Sequence, residues 1–211
     1  MILNQKFYVA DIATTWIDYP NPTDVAVIVY FEGCSHNCKD CHNPDNQIRK
    51  PEDEIGYMDL ITGIINKAKA WQTDKVVFSG GDPFYHKDIK DFQAMAFLIS
   101  HLENIGYKVC VYTGYSYLDI LKFYDELEQL PEDSRWDDFR HEWLVYKHIY
   151  DKPDWIKTGI YDNLNLNSDP GKTKTTLTLA SKNQCFFERT TPINTREFGY
   201  VNRTTEGVLT F

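Results

Sequence analysis

Short apolar runs alternate with amphipathic segments along most of the chain. The runs whose β-branched and aromatic content predicts buried strands are Val25–Phe31, Lys75–Ser79, Tyr107–Tyr115 and Asp154–Gly159. The segments whose apolar residues recur at helical spacing are Tyr57–Trp71, Asp88–Gly106 and Ser116–Leu127. This repetition of strand, loop and helix predicts an α/β fold with a mainly parallel sheet.

The residues best suited to chemistry all follow a predicted strand. In chain order they are Cys34, Cys38 and Cys41, then Ser79–Pro83, Thr113–Gly114 and Lys157–Gly159. Ligands of parallel α/β folds collect at the carboxyl ends of the strands. We therefore expect these four loops to face one active centre.

Two segments fit the repeating pattern less well. Residues 126–153 are charged and aromatic-rich, which predicts a helical insertion before the fourth strand. From about residue 164 onward the chain is polar and rich in Thr and Asn, with short strand-like runs that predict a C-terminal extension. With 211 residues in all, the chain suits one domain, residues 1–211.

Composition and charge narrow the class of protein. Hydrophobic residues make up 42% of the chain, which is typical of a globular protein. The net charge of -9 argues against a general nucleic-acid-binding surface. The N-terminus does not resemble a signal peptide, and no apolar run is long enough for a membrane helix. We therefore expect a cytoplasmic protein without a membrane partner, in which thiols stay reduced.

The spacing of the three clustered cysteines favours a metal site. Thiolates bind soft metals, and C-x3-C-x2-C allows one loop to supply three corners of an iron–sulfur cluster. Three cysteines would leave one iron open for a substrate. A structural zinc site that adds His36 or His42 is the alternative. Cys110 and Cys185 lie in apolar runs and are expected to be buried side chains rather than fourth ligands.

The same loop carries a resemblance to a known family. Gly33–Cys41, "GCSHNCKDC", resembles the cluster loop of the radical S-adenosylmethionine (SAM) enzymes, and in particular the activating proteins of anaerobic (class III) ribonucleotide reductases. Further similar motifs are "HNP" at His42–Pro44, "SGGDPF" at Ser79–Phe84, "VYTGY" at Val111–Tyr115, "IKTG" at Ile156–Gly159 and "SKNQ" at Ser181–Gln184. The cysteine and Gly-Gly-Asp-Pro motifs together are highly specific, whereas the later ones discriminate only weakly among subfamilies.

The resemblance implies a fold and a set of site residues. The fold is a partial, open (β/α) barrel of the radical SAM type. Cys34, Cys38 and Cys41 would hold a [4Fe–4S] cluster whose open iron binds SAM. The residues implied to contact SAM are Gly80, Gly81, Asp82 and Pro83, with Thr113 and Lys157 as weaker candidates.

The resemblance also implies a reaction and partners. Reductive cleavage of SAM would give a 5′-deoxyadenosyl radical, which abstracts hydrogen from one glycine of a large glycyl radical enzyme, the class III reductase. A flavodoxin or ferredoxin would donate the electron. Other radical SAM functions stay open, namely a pyruvate formate-lyase-type activase or a 7-carboxy-7-deazaguanine synthase-like enzyme. A zinc-stabilised binding module without turnover is the alternative from a different class.

Overall fold

The computed structural model describes residues 5–21, 23–85, 89–116, 153–164, 166, 180–189 and 200–203. The strands are β1 (Lys6–Thr15), β2 (Ala26–Phe31), β3 (Glu54–Gly56), β4 (Lys75–Gly80), β5 (Lys108–Tyr112), β6 (Trp155–Thr158), β7 (Cys185–Arg189) and β8 (Tyr200–Asn202). The helices are α1 (Tyr57–Ala70) and α2 (Ile89–Asn104), and two 3-10 turns cover Pro44–Asn46 and Pro51–Asp53. Within these ranges, neither helix has the length and apolar character needed to cross a bilayer.

The described strands form one sheet in the order β3-β1-β2-β4-β5-β6-β7-β8. The central strands β2, β4, β5 and β6 are parallel and lie in chain order. On each side of this block the added strands pair antiparallel, β1 with β2 and β3, and β7 with β6 and β8. The edge strands β3 and β8 do not pair with each other, so the described sheet is unclosed.

Both helices pack on one face of the sheet. The helix α1 buries Leu60, Ile64 and Ala68, which recur every three or four residues and therefore share one side of the helix. They join one hydrophobic core with Leu98 of α2 and Phe78 of β4. Phe78 is fully buried, and its burial alone contributes about 2 to 3 kcal/mol.

The opposite face of the sheet is covered by other parts of the chain. Ile28, Val77 and Cys110 point to this face and pack with Tyr19 and Phe186. Because side chains alternate along a strand, each central strand contributes to both cores. The central strands are consequently apolar on both faces, as parallel strands are when both sides are covered.

The prediction of an α/β fold built on parallel strands is confirmed. All four central strands and both described helices lie where the pattern placed them, within a few residues at each end. The antiparallel strands β1 and β3 were not predicted. The strand-like runs of the C-terminal extension include β7, whereas the predicted helix Ser116–Leu127 and the insertion 126–153 lie almost entirely outside the described residues. The single-domain assignment stays a prediction.

Candidate functional site

A cavity of about 290 Å³ opens at the carboxyl ends of the four parallel strands. Its volume is near the lower end of the range for small-molecule sites. The predicted site residues that line it are Cys34, Cys38, Cys41, Gly80, Gly81, Thr113 and Lys157. The four loops expected to face one centre therefore do so.

The three cysteines lie on the loop that follows β2, and all are partly exposed. Backbone N–H groups point at their sulfur atoms: His36 N lies 3.5 Å from Cys34 Sγ, and Asn43 N lies 3.4 Å from Cys41 Sγ. The backbone N–H of Tyr161, on the loop after β6, donates to Cys38. Such bonds stabilise thiolates and tune the clusters that thiolates hold.

Burial raises the pKa of the Cys34 thiol to about 11 and also raises the pKa of Cys38. Without metal, these groups are therefore protonated at neutral pH. A metal must displace their protons, so metal binding releases protons to solvent.

A single-ion site such as the zinc alternative needs donor side chains that converge on one point. Among the residues whose placement is described, no three His, Cys, Asp or Glu side chains converge on one point where a lone metal ion would bind. A four-iron cluster does not require such convergence, because each thiolate binds a different iron. Both histidines of the zinc alternative have other contacts: His36 bonds to Asp82, and the His42 ring centroid lies 4.2 Å from that of Tyr161.

The Gly80–Gly81 turn packs directly beneath the cysteine loop. Gly80 has a φ of +104°, and a Cβ there would lie 2.3 Å from the carbonyl oxygen of Phe31. A Cβ on Gly81 would lie 2.4 Å from the carbonyl oxygen of Gly33. Only glycine allows this approach. The close contact that Gly80 permits is therefore with the end of β2, and the one that Gly81 permits is with the start of the cysteine loop.

Asp82 and Pro83 do not line the main cavity. They face a separate cavity of about 30 Å³ instead. The Asp82 side chain is buried, and its carboxylate accepts hydrogen bonds from within the protein, including one from the buried Thr113 hydroxyl. The predicted contacts of Asp82 and Pro83 with a cofactor stay predictions.

Lys157 occupies the wall of the cavity at the end of β6. Its Nζ lies 4.5 Å from the ring centroid of Tyr112 and 5.9 Å from that of Phe186. Burial lowers the pKa of the lysine from 10.5 to about 8, although the negative charge of Asp18 acts in the opposite direction. No carboxylate within the described ranges forms an ion pair with this amine.

Sequence reasoning did not assign several further residues that line the cavity. Asp18 and Tyr112 line the cavity, and Tyr161 lines it while bonding to the cysteine loop. Tyr161 follows a predicted strand by a few residues, which is the signal that could have marked it. Nothing local distinguishes Asp18, which precedes β2 and reaches the site only through the fold.

Comparison with known proteins identifies the family. The model of the 4Fe-4S single cluster domain matches residues 23–132, which is just over half of the chain and includes the three cysteines, the Gly80–Gly81 turn and Thr113. The chain belongs to the 4Fe-4S single cluster domain family. The prediction of iron–sulfur binding is thereby confirmed at the level of the family. Ligation by Cys34, Cys38 and Cys41 individually stays a prediction.

This family assignment fits the radical SAM superfamily in general. No curated protein sequence is similar enough to the chain to count as a match. Neither comparison shows that the chain binds SAM or which target it acts on.

Proposed function

We propose that this protein is a radical SAM activase that generates a glycyl radical on an anaerobic ribonucleotide reductase. The observation that carries the proposal is one cavity lined by three cysteines of a cluster loop, a double-glycine turn and a partly buried lysine. When bound, the cluster would supply the electron that cleaves SAM into methionine and a 5′-deoxyadenosyl radical.

Lys157 is the residue that we assign to the anionic end of SAM. The amine faces the cavity and lies against two aromatic rings, and within the described ranges no carboxylate forms an ion pair with it, although the charge of Asp18 raises its pKa. A buried cation is costly unless an anion pairs with it. The methionine carboxylate of SAM would provide that anion. The Thr113–Gly114 turn and the Gly80–Gly81 turn would bound the rest of the molecule.

The sheet supports the radical SAM type of barrel. Four consecutive parallel strands lie side by side in chain order, as strands do in a (β/α) barrel and not in a doubly wound sheet. The cluster loop follows the first of them. The described sheet is unclosed, which agrees with a partial barrel.

The choice of a reductase as target rests on the sequence motifs. His36 in the cysteine loop and Tyr-Thr-Gly at Tyr112–Gly114 are the features that resemble the reductase activases. In the fold these features touch, because a Cβ on Gly114 would lie 2.3 Å from the His36 ring. The proposed partners are thus a class III reductase and a flavodoxin or ferredoxin as electron donor.

The test uses anaerobically reconstituted protein, SAM and dithionite, with and without a class III reductase. We expect 5′-deoxyadenosine by chromatography, and a glycyl radical doublet by electron paramagnetic resonance only when the reductase is present. The Lys157→Met variant should need roughly 10- to 100-fold more SAM, because it lacks one charged hydrogen bond.

The outcomes separate the two levels of the proposal. Formation of 5′-deoxyadenosine without a glycyl radical would keep the radical SAM activity and reject the reductase as target. Absence of 5′-deoxyadenosine from protein that carries its full iron content would reject both.

A further inference from the structure

The cysteine loop has little regular structure of its own. Between the end of β2 and the 3-10 turn at Pro44–Asn46, it contains no helix or strand. Asn37 and Asp40 adopt left-handed backbone conformations, with φ of 49° and 55°. Such conformations are unfavourable for residues other than glycine, although Asn and Asp tolerate them best. Contacts from outside the loop must therefore hold its shape.

The Asp82 carboxylate supplies one such external contact. It accepts hydrogen bonds from Phe84 N at 2.9 Å, Gly114 N at 2.9 Å and Thr113 Oγ1 at 3.0 Å. Its fourth partner is His36 Nε2, at 2.6 Å, from the cysteine loop. Because an ionised carboxylate can only accept, Nε2 of the imidazole carries the proton in this bond.

The turn that follows β5 leaves room for the His36 ring. A Cβ on Gly114 would lie 2.3 Å from His36 Cδ2, so only glycine leaves room for the ring. Tyr115 meets the same ring edge-on, with centroids 4.8 Å apart. The side chain of His36 is 14% exposed and that of Asp82 is 1% exposed. The imidazole is thus enclosed between the end of β5 and the Asp82 turn.

The anchored residue also contacts a cluster ligand. The backbone N–H of His36 points at Cys34 Sγ. We propose that His36, held by Asp82, is a positioning residue that keeps the cysteine loop in the shape required to bind the cluster. The inference depends on cluster binding by the family and holds whether or not SAM is the substrate.

A direct role for Asp82 in ligand binding is the competing explanation. Its carboxylate oxygens already receive four donors, which matches the number of lone-pair sites that a carboxylate offers. The side chain also lies outside the lining of the main cavity. The bond between His36 and the Asp82 carboxylate reaches the cysteine loop, and an experiment without SAM separates this role from the predicted contact of Asp82 with SAM.

The experiment measures iron release from reconstituted protein to a ferrous chelator, without SAM. The matched pair is His36→Gln and His36→Asn. The Gln amide nitrogen can occupy the position of Nε2, whereas the shorter Asn side chain cannot reach Asp82. We expect His36→Gln to release iron at nearly the wild-type rate. His36→Asn and Asp82→Asn should release it roughly 10- to 100-fold faster, the usual effect of losing a residue that orients a metal ligand.

The double variant His36→Asn with Asp82→Asn tests whether the two residues act as one unit. We expect it to release iron no faster than either single variant, because each single change already breaks the same bond. The Tm of each cluster-free variant reports general damage to the fold.

Two results would overturn the proposal. One is equal iron release from His36→Gln and His36→Asn, which would make the bond to Asp82 irrelevant. The other is fast release from Asp82→Asn together with a wild-type rate from His36→Asn, which would mean that Asp82 acts without His36. If His36→Asn or Asp82→Asn unfolds, His36→Gln decides: retention of iron supports the proposal and loss contradicts it. Because SAM is absent, failure here is distinguishable from failure of the proposed activity.

Discussion

Replacement of Lys157 by Met should stabilise the cluster-free protein and should weaken SAM binding by the reconstituted protein. The depression of the lysine pKa from 10.5 to about 8 means that folding disfavours the charged form. At pH 7 this corresponds to about 3 kcal/mol of lost stability. Methionine keeps the apolar stem and removes the charge, so the free energy of unfolding should rise by up to that amount.

The pH dependence gives the sign of the effect independently. The unfolded chain binds more protons at this site than the folded chain between pH 8 and 10.5, so wild-type stability rises with pH across this window. The advantage of Lys157→Met should accordingly fall to about 1 kcal/mol at pH 9.5. Below pH 8 it should be nearly constant.

Urea unfolding of cluster-free protein at pH 7 and pH 9.5 measures this difference, with Lys157→Arg as the control that keeps a charge. The arginine variant should show no gain at either pH. A loss of stability in Lys157→Met at pH 7, or a gain that is equal at both pH values, would refute the reasoning that the charged form of Lys157 destabilises the cluster-free protein.

Two further substitutions test the site. Cys38→Ala should abolish stable cluster assembly, measured as iron and sulfide per chain. The control is Cys110→Ala, which changes a buried strand residue on the opposite face of the sheet and should retain the cluster. Retention of the full cluster in Cys38→Ala would remove that cysteine from the ligand set. Gly81→Ala should lower the unfolding free energy by about 2 kcal/mol or more, because its Cβ would meet two carbonyl oxygens at 2.4 and 2.6 Å. Gly106→Ala, with a positive φ but open space around it, should cost only about 1 kcal/mol, and equal losses in the two glycine variants would contradict the close packing of the turn.

The strands and the site loops were predictable because their signals are local. A β-branched run followed by Gly, Cys or Pro marks both a buried strand and its end, and Val25–Phe31 and Lys75–Ser79 each carry this signature. Once the strands are known to be parallel, their carboxyl ends must lie together. The meeting of the cysteines with Gly80 and Lys157 follows from that alone.

The remaining features depend on contacts between distant residues. His36 and Asp82 are 46 positions apart, and no periodicity links them. Lys157 has the sequence context of an exposed charge, and only the packing of Tyr112 and Phe186 around it reveals its partial burial. The strand β1 was missed because it carries exposed and half-buried positions without regular alternation.

The most direct test of the central claim is electron paramagnetic resonance of the reconstituted, dithionite-reduced protein, recorded with and without SAM. The account predicts the signal of a reduced [4Fe–4S]⁺ cluster that changes when SAM is added, because SAM would bind at the open iron of the cluster. A silent spectrum from protein that contains zinc in place of iron, or a cluster signal that SAM leaves unchanged, would contradict it.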